Sequence, residues 1–240
     1  GLSRIDGVSA SLMPLSEAMS EQQLKDYLSE TAENENDAFA SLSTAFCSEG
    51  LVFKVDDNTQ ISGTVQVLFV STDRDAGPVM HAPRLIWQLG KLSEVKVIEK
   101  FVGTEGGYFI NSVQDWLLAE GAGVSLTQIQ ADPFDSWHFS KTRIHLNRNS
   151  RFYSSNASSG TQLARHHYEV RLKEEGSELR LNGVSVLDGK EQVHNYIRIY
   201  HEAPQCISHQ HFKNIVNGHA RSSFDGTVIV NQGAQSTSSD

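Results

Sequence analysis

From residue 51 to residue 230 the chain is a succession of short β-branched and aromatic runs that alternate apolar with polar positions, and no helix of ten or more residues fits between them. The runs fall at 51–55, 65–70, 85–89, 95–98, 108–110, 124–129, 137–146, 167–172, 179–187, 193–200 and 227–230. Turn chemistry separates them at Asp56-Asp57-Asn58, at 73–77 and at Gly90. A parallel sheet with interleaved helices is therefore disfavoured, and the choice is a sandwich, a barrel or a β-solenoid. An internal repeat favours the solenoid. Leu181-Asn182-Gly183-Val184-Ser185-Val186 and Phe224-Asp225-Gly226-Thr227-Val228-Ile229 share an apolar-Asx-Gly-strand pattern, and 43 residues separate Gly183 from Gly226. That offset reads as two coils of roughly 20-odd residues each, with the Asx-Gly pair at a corner where a positive φ is needed.

Helix is confined to the start. Residues 16–46 contain neither Pro nor Gly, and Leu24, Tyr27 and Leu28, then Phe39, Leu42 and Phe46, recur at helical spacing. Two helices are predicted, with a capping box at Ser20, a polar break over 33–37 and a stop at Gly50. The domain reading is a helical segment over 1–50 followed by a β-helix core over 51–240.

Twenty basic residues against 29 acidic ones give a net charge of −9, with no basic run, so a surface that tracks nucleic-acid phosphates is not expected. No run of about 18 apolar residues is present, and the N-terminal Gly1-Leu2-Ser3 carries no signal-peptide core. Two cysteines, Cys47 and Cys206, are too few for a disulfide framework and fit a reducing compartment. The expected setting is the cytoplasm, or the plastid stroma in a photosynthetic eukaryote.

The densest chemistry is His201, Cys206, His209, His211 and His219. Imidazole and thiolate are ligands of iron and zinc, and His209 and His211 share one face if they lie on a strand, so His201, Cys206, His209 and His211 form the candidate metal set. Buried packing or plain surface exposure is the competing reading of the same residues. A cupin reading of His209-Gln210-His211 fails because no Glu follows at the required distance. Gly103-Thr104-Glu105-Gly106-Gly107 lacks the Lys-Ser/Thr ending of a phosphate loop and reads as a turn. His166-His167, or His138 with Glu169 or Asp135, could form an acid/base set, but no nucleophile-elbow serine accompanies them. Asn156-Ala157-Ser158 matches a glycosylation acceptor by chance, and Trp87, Trp116 and Trp137 read as core or interface anchors. Lys213 and Arg221 are either contacts to an acidic partner or edge charges that discourage aggregation.

The C-terminal third carries a resemblance. His201, then Ser208-His209-Gln210-His211-Phe212-Lys213, Phe224-Asp225-Gly226 and Ala234-Gln235-Ser236-Thr237 follow in the order His, Ser-x-Gln-x-x-Lys, Phe-x-Gly, Ala-Gln-x-Thr. This resembles the SufB/SufD family of iron–sulfur cluster assembly proteins, with signature residues His201, Ser208, Gln210, Lys213, Phe224, Gly226, Gln235 and Thr237. Leu163-Ala164-Arg165 and Leu181-Asn182-Gly183 resemble the approach to that signature. Phe101-Val102-Gly103, the stretch before Ser16 and residues 46–55 look more like the SufD branch. The resemblance implies a right-handed parallel β-helix and a non-catalytic scaffold role. It also implies a SufB-like partner, a SufC-like ABC ATPase docked through a C-terminal helical part beyond Asp240, and transient iron or cluster at a partner interface. The excised core is expected to homodimerise, with no nucleic acid or membrane as partner. The second reading is a secreted-type β-helix enzyme acting on acidic polysaccharides, for which Arg198, Lys213 and Arg221 are the basic candidates.

Overall fold

The computed structural model describes residues 9–47, 50–72, 79–104 and 106–240. Gly1-Leu2-Ser3, the turn expected over 73–77 and Glu105 of the glycine-rich turn lie outside the described residues.

A short strand β1 (Ala10–Pro14) leads into three helices, α1 (Leu15–Ala18), α2 (Gln22–Glu33) and α3 (Ala38–Phe46). Strands follow to the end: β2 (Gly50–Val55), β3 (Gln60–Ser71), β4 (Val79–His81), β5 (Arg84–Leu89), β6 (Glu94–Gly103), β7 (Tyr108–Leu118), β8 (Gly123–Ala131) and β9 (Trp137–Leu146). The later ones are β10 (Arg151–Ser159), β11 (Leu163–Leu172), β12 (Glu178–Leu187), β13 (Gln192–His201), β14 (Ile207–Val216), β15 (Arg221–Val230) and β16 (Ser238–Ser239). They form two sheets. One runs β1-β2-β5-β7-β9-β11-β13-β15, with β4 also on β7, and the other runs β16-β14-β12-β10-β8-β6-β3. All pairs are parallel except β1 with β2. The chain alternates between the two sheets, so the expected β-solenoid is the fold.

The coil is longer than the repeat suggested. Register steps from Gly123 to Arg151, to Glu178 and to Ile207 are 28, 27 and 29 residues. Gly183 lies opposite Phe212 in one sheet while Gly226 sits in the other, so their 43-residue offset is one coil plus a crossing between sheets. Neither glycine is at a corner or has a positive φ. A Cβ on Gly183 would meet the Phe212 ring at 2.2 Å, and one on Gly226 would meet the Phe224 ring at 2.8 Å; both make room for an aromatic. The corners are marked instead by a column of left-handed residues, Leu92 (φ 55), Gly121 (69), Asn149 (54), Gly176 (73) and Gln205 (60), one per coil. Stacked turns bond through the backbone, with Leu92 N–H donating to Glu120 O at 2.9 Å, Gly121 N–H to Arg148 O at 2.8 Å and Asn149 N–H to Glu175 O at 3.0 Å.

Because every coil repeats the same register, inward residues stack in rows. Trp87 lies flat on Trp116 at 4.6 Å, Phe152 meets Trp116 edge-on at 5.3 Å, and Leu118, Leu146 and Leu172 follow one another on successive strands of one sheet. Each such side chain contributes about 1.5–3 kcal/mol relative to exposure. Trp87 and Trp116 are therefore core anchors, whereas Trp137 points outward and is exposed.

The helices lie on the outer face of the first sheet. Leu24 of α2 is buried with Val52 and Ile86, and Tyr27 and Leu28 pack beside them, as their spacing predicts. Three expectations here change. Glu21, not Ser20, precedes α2 and makes no side-chain cap, while Asp37 caps α3 by accepting from Phe39 N–H at 3.0 Å and Ala40 N–H at 3.4 Å. Gly50 opens β2 rather than closing a helix. The buried face of α3 is Ala40 and Ser43, small enough to let it lie close on the sheet; Phe39 turns aside into an edge-on contact with Phe139 at 4.6 Å, and Phe46 is exposed.

Two turn glycines separate conformational strain from steric blockage. Gly160 (φ 90) would place a Cβ 2.6 Å from the Asp132 carbonyl oxygen, whereas Gly189 (φ 62) has nothing within 4 Å. Gly160→Ala is expected to lower unfolding free energy by about 3 kcal/mol and Gly189→Ala by about 1 kcal/mol. Urea midpoints at unchanged slope measure both, and equal losses would show that crowding at Gly160 is relieved by movement of the turn.

Candidate functional site

The signature residues gather on the last full coil. His201 ends β13 pointing inward, is fully buried, and lies 2.9 Å by Nε2 from Ser208 Oγ at the start of β14; Ser208 in turn donates to Ser239 Oγ at 3.2 Å. Burial holds the His201 imidazole below its ordinary pKa, so it sits there neutral. Gln210 and Phe212 also face inward, and Phe212 packs on Phe224 with ring centres 5.1 Å apart. Phe224 itself occupies an inward position in register with Asn195 yet is half exposed, because no coil covers it among the described residues. Gln235 accepts a backbone bond from Gln205 N–H at 3.0 Å, Thr237 is half-buried beside it, and Lys213 points outward into solvent.

The candidate metal set is divided by the sheet. His201 and Cys206 face the interior, where Cys206 Sγ lies 3.2 Å from Ser177 Oγ and 3.4 Å from the Glu174 carbonyl. His209 and His211 alternate onto the outer face of β14, with His209 against the Asp240 carboxylate, and His219 lies exposed in the following turn. Among the described residues no three His, Cys, Asp or Glu side chains converge on one point. The basic residues of the polysaccharide reading are also divided, since Arg198 and Arg221 lie on the outer face of the first sheet and Lys213 on that of the second.

The sequence reading missed a buried polar column inside the solenoid. Ser140 Oγ lies 3.0 Å from His166 Nδ1, and Ser158 Oγ lies 2.9 Å from His166 Nε2. Ser158 donates to Asn156 Oδ1 at 2.8 Å, Asn156 Nδ2 to Tyr168 Oη at 3.2 Å, and Tyr168 to Gln128 Oε1 at 3.2 Å. Gln128 and Gln114 amides then donate to one oxygen of Glu99 at 2.9 and 2.8 Å. Burial pushes Glu99 up to about 7, against the pull of those two amides, and burial likewise pushes His166 down to about 3 and Tyr168 up to about 12. Beside this column Asp132 accepts from Tyr108 at 2.7 Å and meets His138 Nδ1 at 2.9 Å, so the carboxylate partner of His138 is Asp132 rather than Asp135 or Glu169. The signal was present in β10, Arg151-Phe152-Tyr153-Ser154-Ser155-Asn156-Ala157-Ser158-Ser159, whose small polar residues alternate as a strand's do. Asn156 and Ser158 are buried there, so the glycosylation match has no access to solvent.

On the outer face a second network holds the helices. Asp115 is bound by Arg84 at 2.8 Å, Arg143 at 2.9 Å and Tyr27 at 2.9 Å, and Arg143 also meets Glu35. Asp37, besides capping α3, takes Arg165 and His167 at 2.8 Å each. Burial alone would raise the Asp37 carboxyl, but the hydrogen bonds from His167 and Arg165 hold it well below the usual range. His166 and His167 thus face opposite sides of β11 and do not act as a pair.

A solenoid of parallel coils with a buried polar column, closed by a coil that assembles a His-Ser-Gln-Phe-Gly set, defines a class of protein. The family profile of the SUF system FeS cluster assembly, SufBD core domain, matches residues 69–240. An iron–sulfur cluster assembly SufBD family protein of Synechocystis sp. is 29% identical over 227 residues, covering 90% of this chain and 49% of that protein. The chain belongs to the SufBD family, and it spans about half the length of this curated relative. Among the described residues no helix is long and apolar enough to cross a membrane.

Glu99 makes the fold pH-dependent. Its folded pKa of about 7 lies above the ordinary carboxylate value, so the folded chain holds a proton that the unfolded chain releases, and stability falls as pH rises from about 4.5 through 7. Glu99→Gln is expected to remove that component and to be more stable than the parent by about 3 kcal/mol above pH 7. Urea titrations of both proteins between pH 4.5 and 8 give the difference curve, which isolates Glu99 from histidines; a flat difference would mean that the carboxyl is ionised throughout.

Proposed function

We propose that this chain is the β-helix core of a scaffold subunit of Suf iron–sulfur cluster assembly, most like SufD, that pairs with a SufB-like protein and works with a SufC-like ABC ATPase. The observation that carries the reading is the convergence of His201, Ser208, Gln210, Phe224 and Gly226 on one coil of a chain of this family. The chain itself catalyses no step; ATP hydrolysis belongs to the separate ATPase. Iron or a nascent cluster is cargo, held at a partner interface.

The last described coil carries apolar side chains at inward positions. β15 ends the order of its sheet, and Phe224 (46% exposed), Val230 (54%) and, on β14, Val216 (45%) occupy inward positions without cover. Unpaired strand edges with apolar side chains favour association with another chain or with further coils. Of the metal candidates, His209 and His211 are the two that a partner-borne iron could reach, because His201 and Cys206 are enclosed. The polysaccharide-enzyme reading draws no support from the divided placement of Arg198, Lys213 and Arg221.

The full-length parent, purified anaerobically with an untagged SufB-like protein and the ABC ATPase, is expected to yield a stable complex containing iron and acid-labile sulfide. His209→Ala/His211→Ala is expected to lower the iron without dissociating the complex. A parent that recovers neither partner nor iron would reduce the reading to shared fold. The 240-residue chain alone is expected to run as a dimer by light scattering, and a strict monomer at high concentration would count against pairing through the last coil.

A further inference from the structure

On the outer face of the first sheet one register row alternates in charge. Asp115 on β7, Arg143 on β9, Glu169 on β11 and Arg198 on β13 lie side by side on successive strands. The first three are paired: Asp115 with Arg84 and Arg143, Arg143 also with Glu35, and Glu169 with Lys141 at 2.8 Å and Arg171 at 3.4 Å. Arg198, which lies opposite Thr227 on β15, is the charged member of the row without a carboxylate. No acidic side chain among the described residues lies within 4.0 Å of its guanidinium, although Asp225 is on the next strand in register with the neighbouring Tyr196. Its Nε is shielded from water and has no hydrogen-bond partner. The guanidinium lies 5.1 Å from the Tyr196 ring centre, and that of Arg171 lies 4.6 Å from Tyr200.

These side chains line a groove of about 570 Å³ whose other wall is the link between α2 and α3. That link, Asn34-Glu35-Asn36-Asp37, shows what the sheet face accepts. It presents carboxylates, and the sheet answers with Arg143 for Glu35 and with Arg165 and His167 for Asp37. One strand further on, the same face offers Arg198, which Tyr196 and Tyr200 flank and which no carboxylate among the described residues takes. We propose that the groove docks an acidic segment of a partner polypeptide, laid alongside the α2–α3 link, with a carboxylate on Arg198. A guanidinium over an aromatic ring, as Arg198 is over Tyr196, keeps donors free to meet a carboxylate as a fork. Tyrosine and arginine are also the residues that most often anchor protein interfaces. The chain's overall charge of −9 repels acidic partners at long range, so recognition depends on this local cation and weakens steeply with salt.

The inference does not depend on the Suf reading and is tested on the 240-residue chain with fluorescein-labelled decaglutamate, by anisotropy at low salt. Saturable binding is expected, weakened at least tenfold by Arg198→Gln and by 0.3 M salt, and strengthened by Asp225→Asn. Arg221→Gln, an outward arginine on β15 outside the groove, is expected to leave binding unchanged, with unaltered thermal melting of every variant confirming the fold. Absence of saturable binding would overturn the proposal. So would equal losses from Arg198→Gln and Arg221→Gln. Complete displacement of the peptide by millimolar inorganic phosphate would also overturn it, by making the groove a small-anion site.

Discussion

Everything in this molecule depends on the parallel ladder that sets each residue directly over the one occupying the same position a coil earlier. Once the register is 27 to 29 residues, a side chain's neighbours are decided by its row, and rows sort themselves by polarity. Trp87, Trp116, Leu118, Leu146 and Leu172 make one apolar side of the interior. Glu99, Gln128 and Asn156 make a polar row that the same stacking obliges to bond internally, since a buried polar group without a partner is destabilising by about 1–3 kcal/mol. Most of it does, through the continuous sequence from Ser140 to Gln114. The exceptions, Glu99 Oε1, Gln114 Oε1, Gln130 Oε1 and Ser154 Oγ, lie in or next to this column, and the carboxyl among them is the group whose proton affinity burial raises most clearly toward neutrality.

The helices are held differently. An apolar contact of Leu24, Tyr27 and Leu28 with Val52 and Ile86 joins α2 to the sheet, and ion pairs and a hydrogen bond add to it: Glu35 on Arg143, Asp37 on Arg165 and His167, and the Tyr27 hydroxyl on Asp115. Buried ion pairs add little net stability over apolar packing but fix geometry, because removing either partner strands the other. Asp37 concentrates that role, for it caps α3 with two backbone N–H groups and binds two side chains of β11 with the same carboxylate. The α2–α3 link is thereby set in one position, which is what gives the neighbouring groove a defined wall.

The sequence made the architecture legible and the spacing not. The run expected at 137–146 matches β9 residue for residue, although its apolar residues change face along it, Trp137 and Phe139 outward and Ile144 and Leu146 inward. β10 escaped because its inward residues are Ser154, Asn156 and Ser158, so the alternation is in size and burial rather than in hydropathy. The repeat seen at Gly183 and Gly226 was real as a local environment, a glycine beneath an aromatic ring, but it joined two different sheets. The true period is written at the corners, where Leu92, Asn149 and Gln205 adopt the same left-handed conformation as Gly121 and Gly176. Non-glycine residues at most of those corners conceal the period from any reading that looks for glycine. Asp37 was assigned to a polar break because its capping partners are local while its ion partners are about 130 residues away.

The division of the C-terminal set follows from the same alternation. In a strand whose odd and even positions face opposite ways, Ser208, Gln210 and Phe212 must be interior if His209 and His211 are exterior. The inward members complete the stack with His201, Phe224 and the two glycines, so their chemistry is spent on closing a coil. The outward series is His209, His211 and Lys213 on one sheet and Tyr196, Arg198 and Tyr200 on the other. Most of the motif therefore identifies a coil, with Lys213 the signature residue that the strand's alternation turns outward.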